Sequence, residues 1–331
     1  MSRLLVTGAS GMLGRAVAAR LVADGHDVRT LQRSASRVAG AHDIGGSITD
    51  AGCVRSALRD RDAVVHLAAK VTITGPLAQF EEVNVGGTRL LLDEARAAGV
   101  ARFVHVSTPS VAHHGRSLTG AGAGPADPGH ARGSYARTKA TAELLALAAD
   151  DPAGLRVIAV RPHIVWGPGD TQLVGRIVDR ARSGRLPVLG DGAALIDTTY
   201  VDNAVDALVA ALDADVAAYG SPYVVTNGEP RPVVELLAGI CAASGVPVPR
   251  RHVPAGLARA AGSVLDVAWR TFPLAGEPPL TRFVAEQLST AHWFDQRRTR
   301  DALGWTPLVG LDEGLERLAG WTARQAPAVA P

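Results

Sequence analysis

Residues 4–17 read Leu-Leu-Val-Thr-Gly-Ala-Ser-Gly-Met-Leu-Gly-Arg-Ala-Val, an apolar run interrupted by glycines at 8, 11 and 14. Residues 4–7 have the composition of a buried strand, and 13–23 carry helical periodicity. A glycine triplet between a strand and a helix has a physical reading. Gly8 permits a tight turn, Gly11 lets the backbone approach a pyrophosphate, and Gly14 lets helix and strand pack closely. The helix start then offers unpaired N–H groups and a positive dipole end to phosphates. A dinucleotide site built on Gly8, Ser10, Gly11, Met12 and Leu13 is expected. The alternative is a tight turn that holds nothing.

Working outward, β-rich runs at 4–7, 28–32, 63–68, 103–107 and 157–161 alternate with helical patterns at 13–23, 51–59, 80–98 and 135–149. Such alternation predicts a parallel sheet covered on both faces. Right-handed crossovers make it a Rossmann-type, doubly wound α/β fold. The second half is less regular, with helices expected at 173–183, 201–212 and 233–244 and a strand at 222–226. Residues 1–170 are expected to form the nucleotide-binding domain, with additions to its sheet from about 195–226. Residues 171–331 are expected to form a smaller, mostly helical substrate lobe. Between Pro254 and Pro273, Leu257, Ala261, Val264, Leu265, Ala268 and Phe272 recur at helical spacing. The segment 115–133, rich in Gly, Pro and Ala, reads as a surface loop.

Composition excludes several classes. The 331 residues carry a net charge of +2, with scattered cations and little aromatic interleaving, which argues against nucleic acid. The two cysteines, Cys53 and Cys241, lie far apart and outside any CxxC pair. A disulfide framework is disfavoured and a reducing cytoplasm fits. His113-His114 has no suitably spaced partners, so no metal is expected. The N-terminal apolar run breaks at Thr7-Gly8, unlike a signal peptide. No run approaches the roughly 18 apolar residues of a transmembrane helix.

At the end of the second strand, an acidic residue would hydrogen-bond a ribose 2′-OH. Gln32 occupies that place, Arg33 follows and Arg37 is near. A missing carboxylate beside guanidinium groups favours a 2′-phosphate, hence NADPH/NADP over NAD. The other reading makes both arginines solvated loop charges. In the run Gly133-Ser134-Tyr135-Ala136-Arg137-Thr138-Lys139, Tyr135 and Lys139 fall one helical turn apart. Either the lysine is solvated on an amphipathic helix, or its ammonium makes the phenol acidic. Ser107-Thr108-Pro109-Ser110 places hydroxyls at a strand's carboxyl end, where doubly wound folds hold ligands.

The GxxGxxG spacing resembles that of the extended short-chain dehydrogenases/reductases. Further runs fit the same family: His66-Leu67-Ala68-Ala69, Asn84-Val85-Gly86-Gly87-Thr88, the Tyr135/Lys139 pair, and Arg161-Pro162 with Gly167-Pro168-Gly169. The resemblance covers essentially the whole chain. It implies that Tyr135 exchanges a proton with a carbonyl oxygen as hydride moves. Thr108, with Ser107 as runner-up, would bond the same oxygen. Lys139 would hold the nicotinamide ribose, and a backbone–water relay near Asn84 would return the proton. Leu67, Ala68 and Ala69 would lie over the cofactor, with Pro162 and Ile164 at the nicotinamide amide. Ser47, followed by Ile48, stands where the family usually has Asp near the adenine. A homodimer paired through two helices per subunit is also implied.

Sugar-nucleotide members of this family carry an Arg in the run that here reads Leu195-Ile196-Asp197-Thr198-Thr199-Tyr200-Val201-Asp202-Asn203. Ile196 stands in its place, and an apolar residue cannot hold a phosphate. The run 197–203 instead resembles the 3β-hydroxysteroid dehydrogenase branch. Within it, residues 107–111, 166–170, 227–230, 276–283 and 291–294 together resemble the ketoreductases of bacterial long-chain olefin biosynthesis. That resemblance implies NADPH-dependent reduction of a 2-alkyl-3-oxoalkanoate, a hydrophobic keto acid, to the hydroxy acid. It also implies partner enzymes of the olefin pathway. Two alkyl arms call for an apolar cavity, with Leu257, Val264, Leu265, Trp269 and Phe272 as candidate lining. The same segment also reads as a lid, a core helix or a peripheral membrane contact. Arg161 or Arg282 would serve as carboxylate counter-ion. The alternatives are a 3β-hydroxysteroid or sterol dehydrogenase, a sugar-nucleotide epimerase or dehydratase, and, in another class, a non-catalytic NADP-binding regulator.

Overall fold

The computed structural model describes residues 1–325 apart from 73, 74, 114, 273–275 and 277. Its central sheet has seven parallel strands: β1 (Arg3–Thr7), β2 (Asp27–Gln32), β3 (His42–Gly45), β4 (Ala63–His66), β5 (Arg102–Val106), β6 (Arg156–Pro162) and β7 (Pro222–Val225). Their order is β7-β6-β5-β4-β1-β2-β3. Successive side chains on a strand face opposite ways, so each buried strand feeds two cores. Leu4, Val6, Val65, Val104 and Ile158 pack on one face with helices α1 (Met12–Ala23) and, farther along the chain, Val201–Leu212. Leu5, Leu31, Val64, Phe103 and Val157 pack on the other with α2 (Ala51–Leu58) and two later helices. The chain leaves β1 toward β3 on one side and returns to β4 on the other. The carboxyl ends of β1 and β4 therefore flank the switch point, where this architecture holds ligands.

The remaining helices follow in order: α3 (Leu77–Phe80), α4 (Gly87–Ala97), α5 (Gly133–Ala148), α6 (Val174–Arg182), α7 (Val201–Leu212), α8 (Val233–Ala243), α9 (Ala255–Thr271), α10 (Arg282–Gln287), α11 (Arg297–Leu303) and α12 (Leu311–Gln325). Four features depart from the sequence reading. A π-helical turn, Glu81–Gly86, interrupts the helix expected over 80–98. Strand β3 was not anticipated, because its four residues are mostly exposed and lack alternation. The segment read as a loop contains the strand Leu118–Ala121, which pairs with His292–Phe294. Leu195–Ile196 does not extend the main sheet. It joins Arg231–Pro232 and His292–Phe294 in a separate four-stranded sheet, so only β7 of the 195–226 segment is added to the central one.

Helix α9 forms at the expected place with its apolar face reversed. Leu257, Val264, Val267 and Phe272 are 50–69% exposed. The helix docks instead through small residues. Ala258 is buried, and a Cβ at Gly262 would fall within 3 Å of the Thr281–Arg282 backbone. Close approach there turns the bulky residues outward. Leu257, Val264 and Phe272 therefore do not line a cavity, while Leu265 and Trp269 are half-buried. Pro273 and Glu277 lie outside the described residues.

Candidate active site

The glycine turn has the geometry its spacing predicts. Gly8 sits at φ +80°, and a Cβ there would meet the Ala68 backbone at 2.8 Å. A Cβ at Gly14 would collide with the Gly8 carbonyl. Gly11 is different: nothing lies nearer than 3.5 Å to its Cβ position. The fold thus requires glycine at 8 and 14, whereas at 11 it leaves an open approach to the start of α1.

Beneath this turn, buried hydroxyls lock His66. The Thr88 hydroxyl donates to the Asn84 carbonyl at 2.7 Å, so Thr88 Oγ1 accepts from His66 Nε2–H at 3.0 Å. In the neutral ring Nδ1 then accepts the Thr7 hydroxyl at 2.8 Å, while Thr7 Oγ1 accepts the Ala68 N–H at 3.1 Å. Burial and the nearby Lys139 push His66 down to about 3, so it stays neutral. The network fixes the turn at Leu67, Ala68 and Ala69 against β1. In the π-helical turn, the Asn84 side chain accepts the Lys70 N–H at 2.7 Å and donates to Thr138 Oγ1 at 3.0 Å. Asn84 therefore meets α5 at Thr138, beside Lys139.

At the end of β2, the Gln32 amide is buried. Its Nε2 donates to Thr30 Oγ1 at 3.0 Å, and its Oε1 has no partner. The nearest substitute for the missing acid is Asp43, which accepts the Thr30 and Ser36 hydroxyls and the Ser36 N–H. Burial works against its charge, but those bonds outweigh it and hold the carboxyl below its usual range. Asp43 is thus already engaged. Arg33 and Arg37 are exposed, and neither makes a hydrogen bond or ion pair among the described residues. Ser47 bonds Thr49 Oγ1 at 2.8 Å, and Ile48 is buried against Gly87.

Past β5, Thr108 caps the 3₁₀ turn Pro109–Ala112, its Oγ1 accepting the Ser110 N–H at 3.3 Å. That turn packs against α5. The buried Ser107 Oγ has no partner among the described residues. On α5, Tyr135, Lys139 and Glu143 share one face at four-residue intervals. Lys139 is 3% exposed, which rules out a solvated surface lysine. Its Nζ donates to the Val106 carbonyl at 2.7 Å and lies 3.3 Å from His105 Nε2. Burial pulls the ammonium down to about 8, with Glu143 opposing. Burial pushes the Tyr135 phenol up to about 12. The ammonium is thus held on β5, and burial by itself favours the protonated phenol.

Pro162 ends β6, and two residues on Ile164 adopts φ +45°, a costly conformation for a β-branched residue and one that recurs at functional sites. His163 is buried and donates from Nδ1 to the Asp197 carbonyl at 2.6 Å, a structural role. Ile196 is buried in its small sheet. Both expected counter-ions have partners in the fold. Arg161 and Glu143 form a buried, two-pronged ion pair, and Arg161 also donates to the Gly124 carbonyl. Arg282 pairs with Glu286 at 2.8 Å. The sequence reading missed Lys70, which follows Ala69 and has its backbone clamped by Asn84. Its ammonium lies 5.3 Å from the Phe80 ring centroid and makes no ion pair among the described residues. A signal existed: the chain has only two lysines, Lys70 and Lys139, against many arginines. His113 Nε2 lies 2.9 Å from His292 Nε2. Among the described residues no group of His, Cys, Asp or Glu is arranged to hold a metal ion, and His114 lies outside them.

Comparison with known proteins adds to this geometry. The NAD dependent epimerase/dehydratase family model matches residues 4–225. A 2-alkyl-3-oxoalkanoate reductase of Stenotrophomonas maltophilia is 41% identical over 97% of this chain and 99% of its own length. A 3 beta-hydroxysteroid dehydrogenase/Delta 5-->4-isomerase of Mycobacterium tuberculosis is 29% identical over 95% of this chain and 89% of its own. Among solved structures, the dTDP-glucose 4,6-dehydratase of Streptomyces venezuelae with NAD and TYD bound superposes with a TM-score of 0.76 at 25% identity. That match covers 97% of both chains.

Proposed function

We propose, from the premise that this chain belongs to the NAD dependent epimerase/dehydratase family and is an NAD(P)-dependent oxidoreductase, that it reduces 2-alkyl-3-oxoalkanoates to 2-alkyl-3-hydroxyalkanoates with NADPH. The end-to-end match to the Stenotrophomonas reductase carries the substrate reading. The step belongs to the making of long-chain olefins, so enzymes that consume the hydroxy acid are its partners.

The residues present fit the cofactor. Gly11 leaves the helix start open, Gln32 Oε1 is a buried acceptor without a partner, and Arg33 and Arg37 are unengaged cations. Gly8, Ser10, Gly11, Met12 and Leu13 would hold the pyrophosphate, and Arg33 the 2′-phosphate. When bound, NADPH supplies the hydride. Arg33→Ala is expected to weaken NADPH binding about tenfold, the scale of a lost charge-assisted bond, and to leave NADH binding unchanged. Titration of both nucleotides by fluorescence checks this, and equal losses for the two would remove Arg33 from the phosphate site.

The chain's own residues then do the following. Thr108 and Tyr135 bond the ketone oxygen, and Tyr135 gives up its proton as charge develops there. A phenol that keeps its proton across the neutral range suits reduction. Lys139 steadies the resulting phenolate and holds the ribose. The carboxylate goes to Lys70, since Arg161 and Arg282 are both paired. Lys70→Gln is expected to raise KM for the keto acid about tenfold while leaving the neutral keto ester within twofold, a split that steady-state kinetics reads directly. Parallel losses on acid and ester would exclude the assignment.

A substrate with long alkyl arms resides in or on lipid. Arg250 and Arg251 shortly precede α9 in the chain, and they, Arg182 and Arg185 are exposed and free of ion pairs among the described residues. The pairing of His252–Val253 with Val188–Leu189 brings Arg250 and Arg251 to the segment that follows Arg185, at the start of α9. An apolar face with a cationic end fits an anionic lipid surface. Sedimentation with vesicles of anionic lipid should pull down the chain, and Leu257→Ser/Val264→Ser should abolish this. Retention of the double variant on vesicles, or a monomer–dimer shift caused by it, would assign the face elsewhere.

A further inference from the structure

His105 and His66 are both fully buried, adjacent in the sheet with ring centroids 5.5 Å apart, yet they are treated differently by the fold. His66 has partners on both nitrogens. His105 has one contact, Nε2 to Lys139 Nζ at 3.3 Å, and its buried Nδ1 has none. A buried polar atom without a partner is destabilising, so the single polar contact that this buried ring makes, to Lys139, carries weight. An ammonium has no lone pair, so His105 Nε2 must be the acceptor and Nδ1 carries the ring proton. Val106 O and His105 Nε2 thus take two of the ammonium's N–H groups, and a further one remains for the cleft.

We infer that His105 is a positioning residue for Lys139: a neutral acceptor behind the ammonium that keeps it charged and sets the pH at which it loses its proton. This rests on the assignment of Lys139 to hydride-transfer chemistry, but the geometry is independent of the substrate. The groups facing Lys139 are His105 on β5, His66 behind it on β4, and Tyr135 and Glu143 on α5. His66 and His105 both stay neutral through burial, so Glu143 is the one anion among them. A hydrogen bond that favours the charged form raises a lysine's pKa, and removing it lowers that pKa.

The rarity of lysine makes the test direct. Protein labelled with [ε-¹³C]lysine gives two side-chain resonances, one for Lys70 and one for Lys139, assigned with Lys70→Arg. Without cofactor or substrate, the Lys139 signal should titrate at about 8 in the natural chain. His105→Leu should move the midpoint down by about one pH unit, a tenfold loss of proton affinity. His105→Gln, whose amide oxygen can reach the Nε2 position, should restore most of it. His105→Asn, too short to reach, should behave like Leu and guards against a Leu variant that fails to fold. The alkaline limb of kcat in keto acid reduction should move with the resonance. A Lys139 midpoint unmoved in folded His105→Leu or His105→Asn would overturn the inference. Absence of keto acid turnover by the natural chain would instead strike the substrate reading and leave the titration as it stands.

Discussion

Tyr135→Phe is expected to lower kcat for keto acid reduction by roughly 10²–10⁴-fold, the range contributed by a positioned general acid. NADPH binding should stay within about twofold. The reason is local. Tyr135 sits in the first turn of α5, beside the 3₁₀ turn capped by Thr108, and burial keeps its proton in place. Phenylalanine preserves the ring and its packing and removes only the donor, so stability should change little. Stopped-flow kinetics at saturating NADPH, with cofactor affinity measured separately, reads the two quantities apart. Loss of cofactor affinity with retained kcat would mean that the phenol binds rather than reacts.

Glu143→Ala has the largest expected effect on stability, a loss of about 3–5 kcal/mol. Glu143 and Arg161 are buried and bonded through two prongs, joining α5 to β6 one turn beyond Lys139 on the same helix face. Removing the carboxylate leaves a buried guanidinium with only the Gly124 carbonyl. The charged lysine also loses its supporting anion, so Lys139 should titrate below its value of about 8. Because burial holds Lys139 below its unfolded value, stability should rise with pH from about 8 upward in the natural chain, and that rise should begin at lower pH in Glu143→Ala. The double replacement Glu143→Leu/Arg161→Met should recover much of the stability, because no charge remains buried, but not the Lys139 titration. Denaturant unfolding at several pH values checks both parts. A single-variant loss below about 1 kcal/mol would show that the pair is solvated.

Local patterns in the chain were readable because local rules govern them. The glycine turn depends on contacts among residues 8, 14 and 68, and its spacing announces all but the last. The Tyr135/Lys139 pair is one helical turn. The alternation of strands and helices implies the sheet and its switch point. What was not readable depends on residues far apart. The second sheet joins Leu118–Ala121 to His292–Phe294, and neither run is long enough to declare itself. Arg161 looked free for a substrate until Glu143, on another element, was seen to hold it. The bond from Lys139 to the Val106 carbonyl likewise joins α5 to a strand far away in the chain. Helix α9 has the correct period, yet period alone cannot say which face turns inward. Gly262 and its contact with the Thr281–Arg282 backbone decide that.

The most direct test of the account is incubation of the purified chain with NADPH and a synthetic 2-alkyl-3-oxoalkanoate. Nicotinamide absorbance and the products are followed together. The predicted result is one 2-alkyl-3-hydroxyalkanoate formed per NADPH oxidised. No oxidation of NADPH with the keto acid, alongside turnover of a 3β-hydroxysteroid or a UDP-sugar, would contradict it.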